Sequence, residues 1–343
     1  MGVKLKDLLK DCVHEISIKD LAYKTIAFDA YNILHQFLAS VRQYDGTPLM
    51  DSRGNLTGHL SGLFYRTISF LEEGIKPVFV FDGKSPKWKE KTQLERMQKR
   101  KEAEEEYLHA LEIEDTELLK KLAPQKERLT SVMINESKKL LDLMGIPYVD
   151  APSEGEAFAA ILSKKNLVYA VSSQDYDSLL FGATRLIRNL SITGKRRIQG
   201  REVEINPEMF TLSEINEKLN LSREKLIWIG ILIGTDFNKG IAGIGPKKAF
   251  KMVMKYDTFQ ELVEKENLKF VEGYETILEI IDFYLNPEEI DFDENNLKLR
   301  KLDVEGIVDF LCNHRDFSEE RVRKALEKVQ KIPKGQKTLD DFF

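Results

Sequence analysis

PSEGEAFAAILSKKNLVYAVSSQDYDSLLFG, residues 152–182, sets four acids (Glu154, Glu156, Asp175 and Asp177) into two short punctuated turns. Glu154 and Glu156 open a helical pattern, and Leu167–Val171 is an apolar run that reads as a buried strand ahead of Asp175 and Asp177. Two like charges at a buried strand end repel each other, and carboxylates are seldom buried without a compensating cation or hydrogen bonds. With no His or Cys nearby, the compensation expected for clustered carboxylates is a hard divalent metal such as Mg²⁺. Each half has a plainer alternative. Ser153 and Glu156 have the spacing of a capping box, Glu154 in a first helical turn suits the helix dipole, and Asp175 and Asp177 can serve as turn residues.

Outward from this stretch the same pattern recurs. Thr25–Asp29 is an apolar strand ending in an acid, followed by a helical pattern over 31–44. A Gly-, Asp- and Pro-bearing loop over 45–58 leads to a second helical pattern over 59–73. Lys76–Gly83 is another apolar strand, with Asp82 at its carboxyl end. Strands alternating with helices through short connections predict an α/β fold with a largely parallel central sheet flanked by helices. Such sheets carry their sites just beyond the carboxyl ends of the strands, where Asp29, Asp82, Asp175 and Asp177 fall. The apolar run Leu226–Gly234 leads to a further acid, Asp236.

The 343 residues are 42% apolar and 32% charged, which predicts a charged, globular chain with a sizeable core. A net charge of −5 argues against a uniformly basic nucleic-acid binder and makes local charge decisive. Cys12 and Cys312 lack metal-type spacing and imply a reduced, intracellular setting. No signal-peptide pattern is visible, and the longest apolar run, nine residues, is too short for a bilayer.

Charge is segregated along the chain. Lys84–Lys101 holds eight basic residues against two acids, and Glu102–Glu117 holds eight acids and no Lys or Arg. A solvated surface helix would have this composition too. Its basic half, however, leaves directly from Asp82, and Lys89 and Arg96, seven apart, share one helical face. A basic lid over a carboxylate cluster suits a phosphodiester substrate. Arg185–Arg201 carries six basic residues and no acid, with Gly194 as the expected hairpin turn. Gly243-Ile-Gly245-Pro-Lys247-Lys248 is a glycine turn entering a helix, of the kind that grips a duplex backbone without reading bases. Residues 257–329 read as helical. The segment 331–335 reads as a linker to a tail whose Leu339, Phe342 and Phe343 would anchor in a partner's pocket.

Taken together, PSEGEA, SQDYDSLLFG, FDGK, GTDF and GIGPKKA resemble the flap endonucleases of the archaeal and eukaryotic structure-specific 5′-nuclease family over essentially the whole chain. The resemblance implies a PIN-like nuclease core with a helical arch and a helix-turn-helix DNA-binding element. Its divisions would be an N-terminal nuclease region over 1–101, the arch over 84–130, an internal region over 119–261, a helical region over 262–330 and a tail over 331–343. It implies 5′-flap cleavage and 5′-3′ exonuclease activity in Okazaki fragment maturation and long-patch base excision repair. Two Mg²⁺ ions, replaceable by Mn²⁺, would be held by Asp29, Asp82, Glu154, Glu156, Asp175, Asp177 and Asp236, with Lys89 and Arg96 as catalytic cations. DNA would be met by Gly2, His35, Arg42, Arg66, Gly234, Gly243, Gly245, Lys247 and Lys248. A one-nucleotide 3′-flap pocket would involve Thr57, Arg315, Phe317 and Ser318. Gln336, Leu339, Phe342 and Phe343 resemble a box that binds the sliding clamp, PCNA. The implied setting is a monomeric enzyme of an archaeal cytoplasm or nucleoid, acting on branched DNA. The chain departs from the family in having His35 where a stacking Tyr is common, and Phe158 where a polar residue is usual. The rival reading is a non-catalytic junction adaptor recruited by the clamp.

Overall fold

The computed structural model describes residues 2–43, 47–89, 94, 97–98, 101–102, 104–106, 129–192, 194–198 and 201–330. Most of the expected arch, including Arg96, and the whole clamp-binding tail (Gln336, Leu339, Phe342, Phe343) lie outside the described residues. In chain order the elements are α1 (Lys6–Leu9), β1 (Val13–Glu15), β2 (Thr25–Asp29), α2 (Ala30–Ser40), α3 (Gly58–Glu72), β3 (Lys76–Phe81), α4 (Ser131–Leu143), β4 (Tyr148–Asp150), α5 (Gly155–Lys164) and β5 (Ala170–Ser172). There follow α6 (Asp177–Leu180), β6 (Arg185–Arg188), β7 (Gly194–Ile198), β8 (Arg201–Ile205), β9 (Glu208–Thr211), α7 (Leu212–Leu219), α8 (Arg223–Ile233), α9 (Pro246–Val253), α10 (Phe259–Lys265) and α11 (Tyr274–Leu285). The last helices are α12 (Val304–Val308) and α13 (Glu319–Gln330).

Seven strands form the central sheet in the order β1-β9-β6-β5-β2-β3-β4. The five from β6 to β4 run parallel, and β9 and β1 add an antiparallel edge. The expected α/β class is therefore the observed one. Successive side chains of a strand point to opposite faces. Accordingly Ala27 and Val80 enter one core, with α5 and α8, while Phe28, Phe79 and Phe81 enter the other, with α2, α3 and α4. A sheet covered on both faces explains why β2 and β3 are continuous apolar runs rather than alternating ones. Because β2, β3 and β5 are parallel, their carboxyl ends share one edge, where Asp29, Asp82 and the Asp175–Asp177 turn stand.

Two local readings are corrected, and one left open is settled. The apolar run before Asp236 is helix α8; it has no polar interruption from which a period can be read, and every residue from Leu226 to Leu232 is buried. The strand expected over 167–171 is displaced to Ala170–Ser172. Its first apolar residues instead close α5: Asn166 takes φ +57°, and the Leu167 N–H donates to Leu162 O at 3.0 Å. Gly194 is not the hairpin turn. It begins β7, and at the other end of that strand Ile198 pairs with Arg201 of β8. The helices expected over 31–44 and 59–73 form as α2 and α3, and the region after 257 is helical as read. No helix among the described residues is long and apolar enough to cross a membrane.

Candidate active site

Asp29 ends β2 and caps α2 by accepting the Asn32 N–H at 3.0 Å. Asp82 follows β3, and its Oδ1 accepts the Gly155 N–H at 2.7 Å. Gly155 permits this approach, since a Cβ there would lie 2.8 Å from the same oxygen. Glu154 occupies the N-cap position of α5 without capping it. The capping box therefore does not form, and Glu156 instead accepts the Ser173 hydroxyl at 2.5 Å. Asp175 accepts the Gly2 N–H at 3.0 Å and the Asn32 amide at 3.3 Å. Asp177 accepts the Val3 N–H at 2.9 Å and the Tyr284 hydroxyl at 3.0 Å. The alternative roles left open by the sequence, a capping box and simple turn residues, are thus displaced by contacts across the fold.

The seven acids form one electrostatic cluster. Burial, then Asp82, pushes Asp29 up to about 8. Burial, then Asp236 and Asp175, pushes Asp177 up to about 7. Glu156 is raised well above its ordinary value by burial and then by Asp177, Asp29 and Asp175. Burial raises Glu154, with Asp82 and Asp236 acting in the same direction against Lys89. Lys89, 9% exposed, enters the cluster, forming an ion pair with Glu154 Oε2. Although its own burial works against charge, Glu154 and Asp82 hold the ammonium above its usual range. The other oxygen of Glu154 is buried with no partner.

The donor set suits a hard divalent cation in its chemistry: all ligand atoms would be oxygens, the carboxylates repel one another, and one buried carboxylate oxygen is orphaned. Among the described residues no group of three or more His, Cys, Asp or Glu side chains is arranged to hold a metal ion. Several of these oxygens accept instead from Gly2, Val3, Asn32, Gly155, Tyr284 and Lys89.

The residues expected at DNA divide into three groups. Gly2 lies against the acids themselves, since a Cβ there would fall 2.0 Å from Asp177 Oδ2. His35 is half-buried on α2. Arg42 follows that helix and bonds Ala39 O at 3.0 Å, and Arg66 on α3 bonds Leu190 O at 2.7 Å. In the second group, α8, a turn and α9 make the expected helix-turn-helix. Gly234 (φ +96°) ends α8, Gly243 (φ +78°) shapes the turn, Gly245 precedes α9, and Lys247 and Lys248 are exposed. The third group is also brought together. Thr57 is buried at the start of α3, and the adjoining loop meets 314–318 through Ser52 N–H to Asp316 at 2.6 Å. Arg315 there pairs with Asp51 at 3.4 Å and with Glu136, beside a half-buried Phe317 and an exposed Ser318. Phe158 is a core residue, edge-on to Phe292 at 5.8 Å. Tyr284, on α11, was not anticipated. Nothing in its local sequence distinguishes it from any other buried aromatic on an amphipathic helix.

Comparison with known proteins agrees with this architecture. Residues 1–103 match the XPG N-terminal domain, and residues 145–236 match the XPG I-region. Flap endonuclease 1 of Thermococcus onnurineus is 48% identical, covering 100% of this chain and 99% of the relative. The flap endonuclease 1 of Pyrococcus furiosus is 49% identical at the same coverage. Among solved structures, flap endonuclease-1 from Methanococcus jannaschii superposes with a TM-score of 0.74 at 41% identity, covering 96% of this chain and 98% of that one. The catalytic core of Rad2 in complex with a DNA substrate shares the fold, with a TM-score of 0.71 at 24% identity.

Proposed function

This chain belongs to the flap endonuclease 1 family, and we infer that it cuts branched DNA at the base of a 5′ flap by metal-assisted phosphodiester hydrolysis. The observation that carries the chemistry is the buried acid cluster at the carboxyl edge of the parallel sheet, met by the ammonium of Lys89. Asp29, Asp82, Glu154, Glu156, Asp175, Asp177 and Asp236 would hold two Mg²⁺ ions. Such ions, when bound, activate a water and stabilise the attacking and leaving oxygens of an in-line displacement.

The chain's own residues do the rest. The Gly2 and Val3 N–H groups orient Asp175 and Asp177. Lys89, joined by Arg96, adds positive charge where the phosphate becomes more anionic in the transition state. The turn from Gly243 to Lys248 grips the duplex by backbone N–H groups and lysines, which suits recognition of shape rather than sequence. Okazaki fragment maturation, long-patch repair and 5′-3′ exonuclease activity belong to the same reading, as does an intracellular setting. The non-catalytic adaptor is disfavoured, because a binding module has no use for a buried, mutually repelling acid cluster.

Labelled single-flap, double-flap, nicked and bubble substrates assayed side by side separate these readings. Cleavage at the flap base with Mg²⁺ and none in chelator is expected. Binding without cleavage under both conditions would identify the adaptor. The tail gives a second expectation. Deleting residues 336–343 should abolish stimulation by the sliding clamp and leave basal cleavage within about twofold, because the tail reads as a terminal anchor tethered by a linker. Equal stimulation of the truncated protein would remove the tail from the clamp interaction.

A further inference from the structure

Asp177 is held from two distant parts of the chain, one oxygen by the Val3 N–H at 2.9 Å and the other by the Tyr284 hydroxyl at 3.0 Å. Tyr284 is fully buried. Its ring is fixed by Phe181 at 4.6 Å and Phe237 at 5.5 Å. Phe181 lies one helical turn beyond Asp177, and Phe237 directly follows Asp236, so the phenol is seated by the same two turns that carry the acids. One step back along α11, Phe283 packs on Trp88 at 5.7 Å, and Glu279 accepts the Trp88 indole N–H at 3.1 Å. Trp88 immediately precedes Lys89. Helix α11 therefore touches each of the three segments that deliver Lys89, Asp177 and Asp236.

We propose that Tyr284 is a positioning residue for the nuclease reaction, its hydroxyl fixing the Asp177 carboxylate for cation binding. This rests on reading the acid cluster as the cation site. A carboxylate in a protein interior turns about its last bond unless both oxygens are held. Here a donor on a rigid aromatic ring, shielded from water, holds the one that Val3 does not. Groups that bond to metal-binding side chains in this way set their orientation, and losing one typically costs about 10–100-fold in metal affinity or activity. Helix α11, from the helical region after residue 257, thereby reaches into the reaction.

Tyr284→Phe deletes the hydroxyl and keeps the ring in its aromatic seat. The Mg²⁺ concentration for half-maximal flap cleavage should rise about tenfold, with KM for the flap within about twofold and kcat recovering at high Mg²⁺. Without DNA, the Mg²⁺ concentration that raises Tm should shift by a similar factor, a readout independent of turnover. Tyr274→Phe, a hydroxyl deletion on the same helix whose ring stacks on Phe259, should behave as wild type in both assays. Unchanged Mg²⁺ midpoints in Tyr284→Phe, a lowered Tm without a midpoint shift, or the same shift in Tyr274→Phe would each overturn the proposal. A wild-type protein that responds to Mg²⁺ in neither assay would instead overturn the cation reading beneath it.

Discussion

Asp177→Asn is expected to slow flap cleavage by about 10³-fold or more while flap binding persists and the metal-free protein becomes more stable. Cations in such a site lower the barrier by several kcal/mol, and each ~1.4 kcal/mol is a factor of ten in rate. Asn is nearly isosteric and can keep both neighbours. Its carbonyl accepts the Val3 N–H, and its amide donates to the Tyr284 oxygen, which reverses its role from donor to acceptor. What is lost is a negative charge in a buried cluster where Asp236 and Asp175 already oppose it. Stability held in reserve against function is typically released by about 0.5–2 kcal/mol when such a residue is neutralised. Single-turnover cleavage of a labelled flap and urea unfolding in chelator measure the two effects. An undiminished rate would remove Asp177 from the reaction, and a loss of stability would show that the repulsion was compensated in another way.

Lys89→Met should have the opposite sign in stability. Methionine keeps most of the side chain's length and deletes its charge, so packing changes little. Glu154 would then lose its ion pair while its other oxygen already lacks a partner, and Asp82 and Asp236 would lose a nearby cation. Breaking a buried pair from one side costs about 3–5 kcal/mol. The chelated protein should therefore unfold at clearly lower urea concentration. Added Mg²⁺ should recover much of the loss, since a ligand bound only by the folded state stabilises it by mass action. Cleavage should fall about 10²-fold at saturating Mg²⁺, the usual effect of removing one group that stabilises transition-state charge. A chelated variant as stable as wild type would mean that Lys89 does not neutralise the cluster. An unchanged rate would mean that it serves the fold alone.

Asp29 and Asp82 could be placed from the sequence because each ends an apolar run long enough to be a buried strand, and parallel strands bring such ends to one edge. Asp236 could be named only by its motif. The run before it is apolar throughout, and a helix buried on all sides leaves the same trace as a buried strand. Glu154 and Glu156 were ambiguous for a related reason. Local spacing allows a capping box, and whether it forms depends on Ser173, Lys89 and Asp82, brought by the fold to Glu156, Glu154 and the Gly155 N–H. Gly194 misled because a glycine marks unusual backbone without saying which: its φ of +117° opens a strand instead of closing a turn.

Periodicity and strand-end acids by themselves determined the α/β class, the edge that bears the chemistry and the places of Asp29 and Asp82 on it, since these depend on nearest neighbours along the chain. Only the tertiary structure decided what the clustered carboxylates bond to. Lys89 reaches Glu154 across 65 residues and Tyr284 reaches Asp177 across 107. Contacts of that span depend on how whole helices pack, and a single buried Tyr or Lys carries no local mark of the partner it will meet.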